Sequence, residues 1–181
     1  DTIEATLSTG DSATPRTLSV ADDRYLLYAN EGTVVSYDLQ EDETVFERGL
    51  PTTALEAQGT AADQDTFYIA NTLGEYFGID VESVDVNGSV EVGPDLSAFS
   101  SPVVHEDGTV TFSGTEVVNV DPDDFSENWR SNPPGGVTTT SAVNDTFLRA
   151  SGAGLQALDM NNNGEIIDTV FEGSEVVAGM A

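Results

Sequence analysis

A chain of 181 residues has room for one domain with a substantial core. It carries 33 acids, five arginines and no lysine, for a formal net charge of −28, and it has no cysteine. Five scattered arginines exclude a phosphate-binding stripe and argue against an anionic membrane surface, and the absent thiols exclude disulfides, thiolate metal sites and a cysteine nucleophile.

From the N-terminus, residues 2–7 read as a short strand ahead of a first unit at about 16–49. That unit runs Thr17-Leu-Ser-Val20, a turn at Asp22-Asp23, Tyr25-Leu-Leu-Tyr28, the phrase Gly32-Thr-Val-Val-Ser-Tyr-Asp38, and a last strand at Val45-Phe-Glu-Arg48. A second unit, about 54–93, repeats the order: Gly59-Thr-Ala-Ala62, Asp63-Gln-Asp65, Phe67-Tyr-Ile69, Gly74-Glu-Tyr-Phe-Gly-Ile-Asp80, then Val90-Glu-Val92. The third, about 96–131, offers Ser100-Ser-Pro-Val-Val-His105, Asp107-Gly108, Val110-Thr-Phe112, Gly114-Thr-Glu-Val-Val-Asn-Val-Asp121 and Asn128-Trp-Arg130. The fourth, about 136–171, offers Thr139-Thr-Ser-Ala-Val143, Asn144-Asp145, Phe147-Leu-Arg149, Gly154-Leu-Gln-Ala-Leu-Asp159 and Ile166-Ile-Asp-Thr-Val170. A final strand-like piece, 175–178, follows.

The aspartates at 38, 80, 121 and 159 recur at intervals of 42, 41 and 38 residues. A period near forty made of short alternating strands, aromatic and β-branched in the second and small in the first, predicts an all-β fold. The arrangement expected is a small β-propeller of about four four-stranded antiparallel blades within one domain, 1–181. Small residues suit inner strands crowded at the axis, and bulk suits the outward positions where blades splay. The Asp, Asn and Gly turns supply the φ > 0 conformations of tight hairpins. A β-sandwich or jelly roll is the rival, but it does not predict a four-fold recurrence. The pieces at 2–7 and 175–178 could pair and seal the ring; otherwise the chain is part of a larger propeller or completes its ring with another chain.

The acids are dispersed among apolar strands, which argues against an acidic disordered tail. At molar salt the Debye length falls to roughly 3 Å and their mutual repulsion is screened, so the surface reads as salt-adapted, similar to proteins of halophilic archaea. No apolar run approaches the roughly 20 residues that span a bilayer. A chain starting at Asp1 fits a processed terminus, a cut boundary or a leader upstream.

The third repeat, with Ser101-Pro-Val-Val-His-Glu-Asp-Gly-Thr-Val-Thr-Phe, Val117-Val-Asn-Val-Asp-Pro and Glu127-Asn-Trp129, and the fourth, with Gly154-Leu-Gln-Ala-Leu-Asp159, carry a family likeness. Over roughly residues 16–171 the chain resembles the quinoprotein-like β-propeller repeat, also found in the bacterial outer-membrane assembly lipoprotein of that type. The family's terminal tryptophan stands at Trp129, and Phe46, Val92 and Ile167 are read as its replacements elsewhere. The resemblance implies, for the family's enzymes, a quinone and a calcium ion in a ring of about eight blades, often with adjacent cysteines. Four repeats without cysteine, and without a carboxylate–amide–aspartate set to carry over, point to a non-enzymatic binding member with no cofactor.

His105, the only histidine, reads as a turn-flanking residue without a chemical role. Asp159, Asn161 and Asn163 alternate ahead of Gly164 like the first half of a calcium loop, with Asp168 as a further oxygen ligand; the twelfth position falls on Val170, which cannot ligate, and a polar turn is the simpler reading. Asn87-Gly-Ser89 and Asn144-Asp-Thr146 match the glycosylation acceptor pattern at a frequency chance supplies. Asp121-Pro-Asp-Asp124 and Glu41-Asp-Glu43 read as solvated turns, and Asn132-Pro-Pro-Gly-Gly136 as a stiff link between blades. The expected function is a non-catalytic module binding a protein or surface glycan, with no nucleic acid and no membrane insertion. Its expected place is extracellular, on a cell surface or on a virion. Alternatives are a structural component of such an assembly and a cofactor-dependent oxidoreductase.

Overall fold

A computed structural model describes residues 17–30, 33–49, 60–63, 65–70, 74–83, 85–93 and 100–170. The expected closing pieces, 2–7 and 175–178, lie outside them. Four antiparallel sheets of four strands each follow one another along the chain. The first holds β1 (Thr17–Ala21), β2 (Tyr25–Asn30), β3 (Thr33–Asp38) and β4 (Glu43–Gly49); the second β5 (Thr60–Ala62), β6 (Thr66–Ala70), β7 (Glu75–Asp80) and β8 (Val86–Glu91). The third holds β9 (Val103–Val104), β10 (Val110–Ser113), β11 (Val117–Val120) and β12 (Glu127–Ser131); the fourth β13 (Val137–Val143), β14 (Thr146–Ser151), β15 (Gly154–Asp159) and β16 (Glu165–Val170), with one 3-10 turn at Met160–Asn162. In every sheet the strand order is the chain order, as in propeller blades built from successive hairpins. Inner strands β1, β5, β9 and β13 lie side by side in that sequence.

Residues opposite one another in an antiparallel pair share a face of the sheet, so the register assigns each blade two faces. Toward its predecessor, blade 2 turns Phe67, Ile69, Phe77 and Ile79, blade 3 turns Val110, Phe112, Val118 and Val120, and blade 4 turns Phe147, Arg149, Gln156 and Leu158. Three apolar clusters result. Tyr25, Leu27, Val34 and Phe46 pack on blade 2; Tyr68, Tyr76, Val90 and Val92 pack on blade 3; Val117 and Trp129 pack on blade 4. Burial between sheets therefore holds the arc together, with about 25 cal/mol favouring each Å² of apolar surface removed from water.

The recurring aspartate closes a turn in every blade. Asp38 accepts the amides of Gln40 (2.8 Å) and Glu41 (3.1 Å), Asp80 those of Glu82 (3.0 Å) and Ser83 (2.6 Å), Asp121 that of Asp123 (3.0 Å) and Asp159 that of Asn161 (2.9 Å). A short carboxylate reaching amides two and three residues on is the reason Asp starts such turns.

The position of the family tryptophan is corrected in two blades. Phe46 opposite Ser36 and Trp129 opposite Asn119 occupy it as expected, each two residues before its aspartate's partner row. In blade 2 the equivalent residue is Gly88, opposite Gly78, and β8 lies earlier than the expected strand at 90–92 because Asp80 and Asp85 already close the turn. Phe125 from the β11–β12 turn fills the space left there: a Cβ added at Gly78 or Gly88 would lie 2.5 or 2.6 Å from its ring. Val92 is instead part of the core between blades 2 and 3. In blade 4 the position holds Asp168, and Ile167 is 58% exposed and docks on nothing among the described residues.

Candidate binding face

The β1–β2 and β3–β4 turns leave blade 1 at the same end, and the equivalent turns of the other blades join them. Among the described residues, clefts open on this face between each successive pair of blades. Asp22, Tyr25, Asp65, Asp80, Val81 and Glu82 line the first, of about 380 Å³. Asp63, Asp65, Thr66, Asp80, Asn87, Pro122 and Asp123 line the second, of about 260 Å³. The third, about 720 Å³, lies between blades 3 and 4 and has a mixed lining: Val103, Val104, Ala142 and Met160 beside His105, Glu106, Asp107, Asn144 and Asp145.

In the first cleft the Tyr25 hydroxyl donates to Glu82 Oε1 at 2.6 Å, joining blades 1 and 2. The tyrosine's pKa is raised, first by that bond and then by burial. Arg24 holds Asp38 through Nε (2.9 Å) and Nη2 (2.5 Å), and with the two turn amides this lowers the carboxyl to about 2. Asp65 is pushed up by burial and by the neighbouring charge of Asp63, with Asp80 adding to it. A cation entering here would relieve that crowding.

In the third cleft half-buried His105 meets the Thr111 hydroxyl through Nε2 at 2.7 Å. Thr111 Oγ1 also accepts Asn119 Nδ2 (3.0 Å), and Asn119 Oδ1 accepts Asn128 Nδ2 (2.9 Å). The direction of the His105–Thr111 bond follows the tautomer of the ring, since the hydroxyl can donate to Nε2 or accept from it. Burial lowers the histidine's pKa against the opposing pull of Asp107. His105 thus anchors a polar chain across the face that blade 3 turns to blade 4.

The turn face gathers most of the residues singled out in the sequence. His105, the 41–43 and 121–124 acids, Asn144, and Asp159 with Asn161 and Asn163 all belong to turns at this end. Asp168 does not join the last group: it sits within β16 opposite Ala157 and accepts its neighbour Thr169's amide (2.8 Å), while Asn163 takes a left-handed φ of 53° to close its turn. Asn162 Nδ2 donates to Glu165. Among the described residues no group of three or more His, Asp or Glu side chains is placed to hold a metal ion. Asn87 donates to Thr66 Oγ1 at 3.3 Å.

Arg149 is the feature that composition and repeats did not single out. It is fully buried where other blades place Ile69 or Phe112. Its Nη1 donates to Pro133 O (3.2 Å) and Nη2 to Gly135 O (2.6 Å), so the 132–136 link is a carbonyl cradle at the opposite end of the blades. Burial lowers its pKa to about 10. The one signal available in sequence was a charged residue at a strand position that is apolar in the neighbouring repeats.

No family profile and no curated protein matches the sequence. Solved structures do match in shape. BamB from Moraxella catarrhalis aligns with a TM-score of 0.75 at 16% identity, over 90% of this chain and 51% of that one. The fold is that of a β-propeller. A chain of the Mitotic Checkpoint Complex aligns at 0.77 with 14% identity, over 92% of this chain and 54% of that one. Kuenenia stuttgartiensis Hydrazine Synthase aligns at 0.72 with 15% identity, over 95% and 53%. The chain spans about half the length of each. At such identities the likeness carries the architecture and leaves the chemistry to the residues.

Proposed function

We propose that this chain is a non-catalytic protein-interaction module that seats a partner's side chains in the turn-face clefts. The observation that carries the reading is the cleft between blades 3 and 4, whose lining mixes Val103, Val104, Ala142 and Met160 with polar and acidic side chains, a composition that suits a protein partner. The groups that could otherwise perform chemistry are engaged in structure. The recurring aspartates hold their own turn amides, and His105 holds Thr111. The partner segment is cationic or mixed, since every cleft is rimmed by acids. No cofactor enters the reading. We further infer a halophilic archaeon or its virus as the source, because so acidic a composition suits molar salt, and an extracellular, cell-surface or virion location, with a protein rather than a surface glycan as the partner.

The test is capture from envelope extract at molar salt, followed by the same capture with Val104→Asp and with Ala153→Asp. Ala153 lies in the β14–β15 turn at the opposite end. Loss of a protein partner with the first variant alone supports the reading. Equal capture by all three proteins, or capture of glycan only, defeats it. A cofactor absorbance in the purified protein, or dye-linked oxidation, would move the chain to the oxidoreductases.

A further inference from the structure

Arg149 and Ser113 are both buried in the layer between blades 3 and 4. The register sets them at matching places. The residue before the recurring aspartate stands opposite Phe67 in blade 2, Val110 in blade 3 and Phe147 in blade 4. Ser113 therefore takes in blade 3 the place of Ala70 in blade 2, and Arg149 takes in blade 4 the place of Phe112 in blade 3. Ala70 and Phe112 share one core cluster between blades 2 and 3. Ser113 and Arg149 are the corresponding pair one layer on. Hydrogen bonds lead from one to the other: Thr140, opposite Arg149, meets Ser100 Oγ at 3.1 Å, and the Ser100 amide donates to Ser113 O at 3.4 Å.

Both groups are short of an acceptor. The guanidinium gives Nη1 to Pro133 O and Nη2 to Gly135 O, while Nε, like Ser113 Oγ, has no hydrogen-bond partner among the described residues. Nor does an acid balance the charge. Burial is the one cause that shifts the Arg149 pKa, with no carboxylate opposing it. Arg24 is paired with Asp38, and Arg130 with Glu116 and Glu127. In a chain of 33 acids, a fully buried cation thus stands without one. A desolvated charge left unpaired is costly, and so is a buried donor without an acceptor.

We propose that the layer between blades 3 and 4 binds a monovalent halide, chloride in salt solution, between Arg149 Nε–H and Ser113 Oγ–H. An anion accepts from both donors at once and supplies the missing negative charge. Water meets only the first need, and its own protons then need acceptors where Ser113 O already takes the Tyr76 hydroxyl and the Ser100 amide. A carboxylate or phosphate carried by a larger molecule does not fit, because both donor atoms are closed off from solvent between packed sheets. The bound ion ties blade 3 to blade 4 through the same guanidinium that holds the 132–136 link.

The experiment is thermal melting in mixtures of potassium chloride and potassium gluconate at constant molar ionic strength, gluconate being too large to enter the layer. The wild-type melting temperature is expected to rise saturably with chloride by about 2–4 °C, as for a site filled at about five times its dissociation constant. Bromide should act alike. Arg149→Met should lose the saturable rise. Ser113→Ala installs the residue that blade 2 carries at the same place, so the fold should tolerate it, and it should move half-saturation to several-fold higher chloride. Crystals grown in potassium bromide should show an anomalous peak beside Arg149 Nε. An anion response equal in wild type and Ser113→Ala overturns the proposal, as does a water without anomalous scattering at that position. If Arg149→Met does not fold, Ser113→Ala and the bromide crystals decide.

Discussion

The layer between blades 2 and 3 and the layer between blades 3 and 4 occupy equivalent places on equivalent backbones, yet they are built from different chemistry. The first is aromatic. Phe112 lies 4.8 Å from Tyr76 and 5.9 Å from Tyr68 between ring centroids, and stacks on Phe125 at 6.1 Å. The Tyr76 hydroxyl is satisfied by the carbonyls of Ser100 (2.7 Å) and Ser113 (3.1 Å). The second mixes Val117, Trp129, Phe147 and Leu158 with buried Thr111, Ser113, Asn119, Arg149 and Gln156. A four-stranded blade therefore fixes where a side chain goes, while the neighbour decides what it can be. The polar layer survives because its largest group, Arg149, finds carbonyls in the adjoining link. Ser113 Oγ and Arg149 Nε have no partner among the described residues, so this layer is less completely satisfied than its neighbour.

The largest effect should come from the aromatic layer. Phe112→Ala removes a fully buried ring that touches three others and should cost about 3–5 kcal/mol in denaturant unfolding at molar salt. A loss below about 1 kcal/mol would mean that the layer collapses into the gap and is not tightly packed. Next, Gly78→Ala pushes a methyl into the Phe125 ring, where 2.5 Å is available, and should cost about 1–3 kcal/mol. Adding Phe125→Leu to it should recover part of that loss. Additivity of the two changes would refute the fit.

The polar layer gives a sharper contrast. Arg149→Met deletes a desolvated cation and two hydrogen bonds together, and those opposing terms should leave stability within about 1 kcal/mol of wild type. A loss matching that of Phe112→Ala would show that the carbonyl cradle, and not desolvation, dominates. Acid titration should yield smaller changes. Asp38 has its pKa lowered by Arg24 and the turn amides, so its contribution is complete above the ordinary aspartate range near 4 and is lost as pH falls toward 2. Melting curves of Asp38→Asn should lack that part of the acid limb. His105 is a base with a lowered pKa; its contribution is complete above about 6.5 and declines as pH falls from there. His105→Gln should flatten that interval. Smallest of all, calcium at constant ionic strength should not raise the melting temperature beyond a magnesium control, because Asp159 is engaged with Asn161. A rise abolished by Asp159→Asn would make the turn a calcium loop.

Much of the architecture was legible because it rests on local rules. Alternation set the strands, Asp, Asn and Gly set the turns, and the forty-residue recurrence set the number of blades. Asp38, Asp80, Asp121 and Asp159 perform the turn role their sequence position suggested. The site was less legible. His105 was seen, but its cleft depends on Ala142 and Met160 from another blade. The tryptophan replacements expected at Val92 and Ile167 differ from the structure because one early turn shifts β8, and because in β16 the residue opposite Ala157 is Asp168.

By itself the sequence determined the class of fold, the four-fold repetition and a net charge of −28, since each follows from spacing and composition. Only the tertiary structure decided that Phe125 occupies the space of two glycines and that Arg149 is buried and served by a linker's carbonyls. The reason is physical: strands and turns are specified by neighbours in the chain, whereas a gap or a desolvated charge exists only when sheets distant in sequence meet.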